Sequence, residues 1–146
     1  MRRPGTWALA MCLTAISIVP TLAQDRAPRN IKPFPSVQFK PDDDVKCLSS
    51  ALEAGDVKTG PSTWVLRAPN GCVVPWHSHT AEEQLIIVGG RVVAEMLDHT
   101  PAQLGPGGFA MMGSHVPHQF TCRSKSGCLM FITFDGAYDI KWGKGG

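Results

Sequence analysis

An all-β sandwich or barrel is the fold class this sequence predicts, and three observations predict it. Short β-prone runs recur through the chain, Gly/Pro turns separate them, and nothing after Gly55 sustains the 3.6-residue period of a helix. A length of 146 residues suits one domain. With 43% hydrophobic and 18% charged residues, the composition suits a compact globule and argues against a disordered chain.

The elements follow in order. Residues 1–23 read as a secretory signal peptide: Arg2 and Arg3, an apolar core over 7–19, a break at Pro20, then Thr21 and Ala23 placed for a cut before Gln24. Such a run falls short of the ~20 apolar residues that span a bilayer. An extended arm follows over 24–45. Pro28, Pro33, Pro35 and Pro41 deny a sheet its donors there, and the arm carries the run Asp42-Asp43-Asp44. Phe34, Val37 and Phe39 could still lay an edge strand on the body. One short helix fits 45–53, ended by Gly55.

The domain proper is expected over 46–142. Its β runs are 62–67, 72–79, 84–88, 91–97, 109–112, 118–121 and 129–134, broken by Ala68-Pro69-Asn70-Gly71, Gly89-Gly90, Gly105-Pro106-Gly107-Gly108 and the polar loop 123–127. Gly89-Gly90 between apolar runs reads as a tight hairpin, and 123–127 as a second one. The tail 143–146 is expected to be loose.

Charge and cysteine content narrow the function. The formal net charge of +2 includes Arg2 and Arg3; without them twelve basic residues balance twelve acidic ones. No basic stripe remains to track a phosphate backbone, which argues against nucleic acid as a partner, and after cleavage nothing calls for a membrane. With a leader, the expected localisation is exported, periplasmic or secreted. Cys12 would leave with it, and Cys47, Cys72, Cys122 and Cys128 would meet an oxidising compartment. A bridge Cys122–Cys128 across the 123–127 loop, leaving Cys47–Cys72, is the most economical pairing. Zinc is the competing reading, though no Cys-x-x-Cys pair supports it.

One constellation carries chemistry. His77 and His79 stand at i and i+2 of a β run and share a face. Glu83 opens the following run, with Glu82 beside it as the alternative if the turn differs. His118 opens another run after Val116-Pro117. Three imidazoles and a carboxylate make a mixed N/O set for one divalent transition metal, with Fe, Cu, Mn, Ni and Zn as candidates. A lone histidine is more often structural, and His99 beside Asp98 reads as solvated.

On these residues the sequence resembles the cupin superfamily. Gly71-x5-His77-x-His79-x3-Glu83-x6-Gly90 matches the first cupin motif at every fixed position. Gly107 and the stretch Gly113-Ser114-His115-Val116-Pro117-His118 follow the spacing of the second, with Gly113, His115 and Cys122 standing where proline, glycine and asparagine are usual. The resemblance covers roughly 62–134. It implies a double-stranded β-helix, or jelly-roll, barrel with His77, His79, Glu83 and His118 holding the metal inside. A homodimer is a family habit.

Counting in twos from these ligands turns Leu85, Ile87, Phe120, Met130, Ile132 and Phe134 inward as a pocket lining. None carries positive charge, so a small uncharged or aromatic molecule fits better than a strong anion. Trp76 turns outward, towards a partner copy or the arm. Glu83 and His115 are the candidate proton-transfer groups, with a structural turn histidine the plainer reading of His115. The expected function is an exported metal-dependent enzyme, dioxygenase-like in the first reading. Redox-neutral Lewis-acid chemistry (hydrolase, isomerase or lyase) and a non-enzymatic binding cupin are the alternatives.

Overall fold

The structure is a computed structural model, and it describes residues 30–145. The predicted leader, its cut before Gln24 and the start of the arm lie outside the described residues. From Lys32 onward the chain forms one compact unit.

Two antiparallel sheets make up this unit. The first has the order β1 (Lys40–Pro41), β2 (Ser49–Gly55), β3 (Ser62–Ala68), β10 (Cys128–Phe134), β5 (Glu83–Gly89) and β8 (Phe109–Met112). The second has the order β11 (Lys141–Trp142), β4 (Val73–Ser78), β9 (His118–Cys122), β6 (Val92–Met96) and β7 (Ala102–Leu104). No α-helix occurs among the described residues. Two facing antiparallel sheets with this strand order make a jelly-roll.

Alternation in the sequence drives the sandwich. Along β10, Cys128, Met130, Ile132 and Phe134 are buried while Leu129, Phe131 and Thr133 are half-buried. Along β5, Glu83, Leu85 and Ile87 are buried while Gln84, Ile86 and Val88 are exposed. A period of two turns one set of side chains into the core and the other towards solvent. The inner faces of the two sheets meet in one core, with Val92, Ala94 and Phe120 from the second sheet packed against this set.

Three local expectations are corrected. The short helix over 45–53 is not formed; β2 occupies Ser49–Gly55 and pairs with β3 from Ser49↔Arg67 to Gly55↔Ser62. A register shift between Leu52 and Ala54 breaks the alternation, which hides this strand from pattern reading. Gly89-Gly90 does not make a tight hairpin, because β5 and β6 belong to different sheets. The chain crosses over there with Gly90 at φ +81°, packed so closely that a Cβ would lie 2.3 Å from the Gly127 carbonyl oxygen. The 123–127 segment likewise joins β9 of one sheet to β10 of the other, so its disulfide ties the two sheets together.

Cys47 is bonded to Cys72, and Cys122 to Cys128. The first bridge pins the end of the arm beside the start of β4. Upstream, the arm lies on β2 and β3: Lys32 pairs with Glu53 at 2.7 Å, and the Arg67 guanidinium lies 3.9 Å from the Phe39 ring centre and 5.1 Å from that of Phe34. Val45 and Leu48 are buried. Behind β4, Trp76 meets the tail rather than the arm, since Gly143 N–H donates to its carbonyl at 2.7 Å and the Lys144 ammonium sits 4.2 Å over its ring.

Candidate metal centre

Strand ends converge on one point. His77 sits near the end of β4, directly opposite His118, the first residue of β9. His79 lies one residue past β4 and shares a face with His77. Glu83 opens β5 in the facing sheet, opposite Phe134 and Met112. All four are buried, and one potential ligand atom from each falls within 4.8 Å of the others.

Hydrogen bonding fixes which atoms point inward. The Nδ1 atoms of His77, His118 and His79 face the carbonyl oxygens of Pro75 (2.7 Å), Val116 (2.8 Å) and Asp139. A carbonyl only accepts, so each Nδ1 carries the proton and each Nε2 of the neutral ring is left as an electron-pair donor. Carbonyl partners of this kind orient metal-binding imidazoles.

The Nε2 atoms of His79 and His118 each stand 3.1 Å from the same oxygen, Glu83 Oε2. In the neutral tautomer these are acceptor-to-acceptor contacts. Either a proton on the ring or a cation between the groups must relieve them, and four convergent donors suit a cation. Burial pushes the Glu83 carboxyl up, but in the metal-free site a proton on the facing rings lets His118 and His79 donate to it, which outweighs burial and holds it at about 2. Burial together with the nearby His118 brings His77 down to about 4. For His79 burial acts downward, yet the Glu83 hydrogen bond and charge win and raise it.

Three of the four, His77, His79 and Glu83, line a cavity of about 670 Å³. Leu85, Phe120, Met130, Ile132 and Phe134 line it, whereas Ile87 lies in the core away from its wall. His115 is exposed on the turn with φ +63° and is absent from the lining; its N–H supports the site by donating to the His79 carbonyl at 2.8 Å. Glu82 is half-buried and accepts from Gln84, outside the cluster.

The arm supplies what sequence reasoning missed. Asp42, Asp43 and Asp44 line the cavity, and Tyr138 from the segment after β10 lines it too. The Tyr138 hydroxyl donates to Asp44 Oδ2 at 2.9 Å, and its ring centre lies 5.5 Å from that of His79. Burial and this carboxylate raise the Tyr138 hydroxyl far above its ordinary range. The Asp42 side chain bonds the N–H groups of Asp44 and Val45, which shapes the loop. Tyr138 stands in an irregular segment and the aspartates in a Pro-rich arm, so no periodicity marks either. Its being the single tyrosine was the one available signal.

With this geometry in place, the comparisons agree. The family model for the cupin domain matches residues 63–134, the stretch that holds all four candidate ligands. The chain belongs to the cupin superfamily. Among curated proteins this cupin is 37% identical over 57 residues to the dimethylsulfoniopropionate lyase DddQ of Ruegeria pomeroyi, covering 39% of this chain and 28% of that one. The crystal structure of that lyase matches with a TM-score of 0.63 at 19% identity, over 75% of this chain and 62% of the other. This cupin therefore spans less than two thirds of that relative's length. An RmlC-like cupin from Shewanella frigidimarina matches with a TM-score of 0.64 at 15% identity, over 77% and 95%. The polyketide cyclase RemF from Streptomyces resistomycificus matches at 0.65 and 12% identity, over 78% and 84%. At these identities the structural likeness concerns the fold.

Proposed function

We propose that this cupin is a metal-dependent enzyme that performs redox-neutral chemistry, an elimination or isomerisation, on a small organic molecule. One observation carries the reading: the Tyr138 hydroxyl and the Asp44 carboxylate are hydrogen-bonded to each other at the wall of the cavity that His77, His79 and Glu83 of the cluster also line. A divalent metal held by the four residues of that cluster would supply Lewis-acid polarisation of a substrate oxygen. Tyr138 stays protonated at neutral pH and presents a donor, while Asp44 accepts, so the pair can hold and move a proton beside the substrate. The apolar wall admits the carbon skeleton. Three carboxylates at the arm disfavour a strong anion and tolerate a cationic group. The short sequence likeness to a lyase supports the elimination arm.

A dioxygenase-like reaction is the second reading. The apolar, largely buried wall of Leu85, Phe120, Met130, Ile132 and Phe134 favours it, since an aromatic substrate would fit there. We also place the protein in an exported, oxidising compartment. Two disulfides support that, as does the sequence of residues 1–23. Mass spectrometry of the mature N-terminus should find Gln24 first, and an intact Met1 would refute the leader.

The test loads purified protein with Fe, Mn, Ni or Zn and measures product with and without O₂. Candidate elimination substrates include dimethylsulfoniopropionate and other zwitterions with a cationic β leaving group. Turnover in the absence of O₂ is the expected result. Stoichiometric O₂ uptake with catechols or enolisable compounds would transfer the assignment to the dioxygenase reading. Saturable ligand binding without turnover would leave a binding module. In Tyr138→Phe, metal content should be retained while the rate falls by about 10²–10⁴, the usual contribution of a positioned acid or base.

A further inference from the structure

A second cleft, of about 360 Å³, lies away from the metal cluster and is lined by Gly90, Arg91, Gly105, Pro106, Arg123, Ser124 and Lys125. Three of these lining residues are cationic and none is acidic. The ion pairs among the described residues use Lys32, Lys141, His79 and His118, so Arg91, Arg123 and Lys125 have none there. The cleft adjoins the far end of β5, where Gly89 stands six residues from Glu83, roughly 20 Å along the strand.

The backbone forces these charges together. Val92 pairs with Cys122 in the β6–β9 ladder, and one step further the Arg123 N–H donates to the Arg91 carbonyl at 2.8 Å. Two arginines therefore stand opposite each other across neighbouring strands, an arrangement that costs stability when nothing lies between. The loop beyond cannot drift away to relieve it. The Cys122–Cys128 bridge closes it, Gly127 N–H donates to the Ser124 carbonyl at 2.8 Å, and the Ser124 and Ser126 hydroxyls are 3.1 Å apart. Outside the predicted leader the sequence has equal numbers of basic and acidic residues, so the cluster does not follow from a basic composition.

We propose that this cleft binds a small oxyanion, of the phosphate or sulfate class, clamped between Arg91, Arg123 and Lys125. Guanidinium groups present paired donors that match tetrahedral oxyanions, and a shared anion turns the cross-strand repulsion into attraction. Three cations around a cleft of this size form no track for a nucleic-acid backbone.

The experiment follows thermal unfolding of metal-loaded mature protein against inorganic phosphate, with sodium chloride at matched ionic strength as the control. Phosphate should raise the unfolding midpoint by several degrees and saturably, chloride should not, and Arg91→Gln/Arg123→Gln should abolish the shift while keeping metal content. Without phosphate, Arg123→Gln alone should unfold no lower than the parent, because it removes the repulsion. Lys125→Gln provides a second variant of the cleft, with a weakened phosphate shift. A midpoint indifferent to phosphate, or a shift surviving in the double variant, would overturn the assignment. Co-sedimentation with phosphatidylglycerol vesicles separates a free anion from a lipid headgroup. Sedimentation that phosphate displaces keeps the oxyanion chemistry, whereas sedimentation with no phosphate effect would assign the cleft to a membrane surface instead.

Discussion

Glu83 Oε2 receives two imidazole nitrogens at 3.1 Å, and this contact sets what a single substitution does. His77→Ala or His118→Ala removes one of four donors and should cost most of the bound metal while circular dichroism of the sheets persists; stoichiometric metal in both variants would refute the ligand set. The same contact sets a pH dependence. Glu83 is held at about 2, so it is ionised over the whole working range and limits nothing. His79 is raised by Glu83 and carries a proton further up the pH scale than a free imidazole. Metal binding must displace that proton, so affinity should fall by about tenfold per pH unit once His79 is protonated. Calorimetric titration at several pH values, with proton release measured in buffers of different ionisation heat, checks the sign. Tyr138 and Asp44 were not legible at this scale in the sequence, because a hydrogen bond between residues 94 apart leaves no local pattern.

Among the elements, legibility followed regularity. β5 and β10 keep a strict period of two and could be read directly, whereas the register shift in β2 and the two-residue strands β1 and β11 left nothing to count. Whether two runs joined by Gly89-Gly90 pair with each other depends on sheet membership, which local turn chemistry does not encode. That crossover makes its own prediction. Gly90→Ala would place a Cβ 2.3 Å from a backbone oxygen at a positive φ, so the backbone must move. The loss should exceed the ~1 kcal/mol usual for a strained left-handed residue, read as a lower denaturation midpoint. The disulfides differ by loop length. Cys47–Cys72 closes 25 residues and Cys122–Cys128 closes 6. Chain entropy then gives roughly 3.5 against roughly 2 kcal/mol for their removal. A Cys47→Ser/Cys72→Ser protein should therefore be the less stable of the two double variants, and it should also loosen the arm that carries Asp44.

At the scale of the whole molecule, the cluster draws His77 and His118 from β4 and β9 of one sheet and Glu83 from β5 of the other. The sequence made His77, His79 and Glu83 of the cluster legible because their spacing is local, i and i+2 on a strand with the carboxylate just after the turn, whereas His118, 35 residues beyond Glu83, was marked by the second motif of the resemblance. It left the second wall of the cavity unread, since that wall comes from an arm folded back by Arg67, Glu53 and a disulfide. A metal bridging the two sheets should stabilise the fold as a whole. At a free metal concentration a hundredfold above Kd the gain is about 2.7 kcal/mol, on the order of 10 °C in midpoint for a domain of this size. The metal-free protein should in turn weaken as pH falls. His77 is depressed from 6.5 to about 4, so between those values the unfolded chain binds the proton that the folded one refuses, and stability declines through that window by at most roughly 3 kcal/mol. His79, raised instead, gives part of it back over the range above 6.5. Urea unfolding at pH 7 and pH 5, with metal and with a chelator, separates these contributions. Chelation should lower both midpoints, and the metal-free protein should lose more between the two pH values than a His77→Asn variant, which has no imidazole to charge. Equal losses in the two proteins would place the acid sensitivity outside the cluster, and a midpoint unmoved by chelation would show that these four residues do not hold the sheets together through a metal.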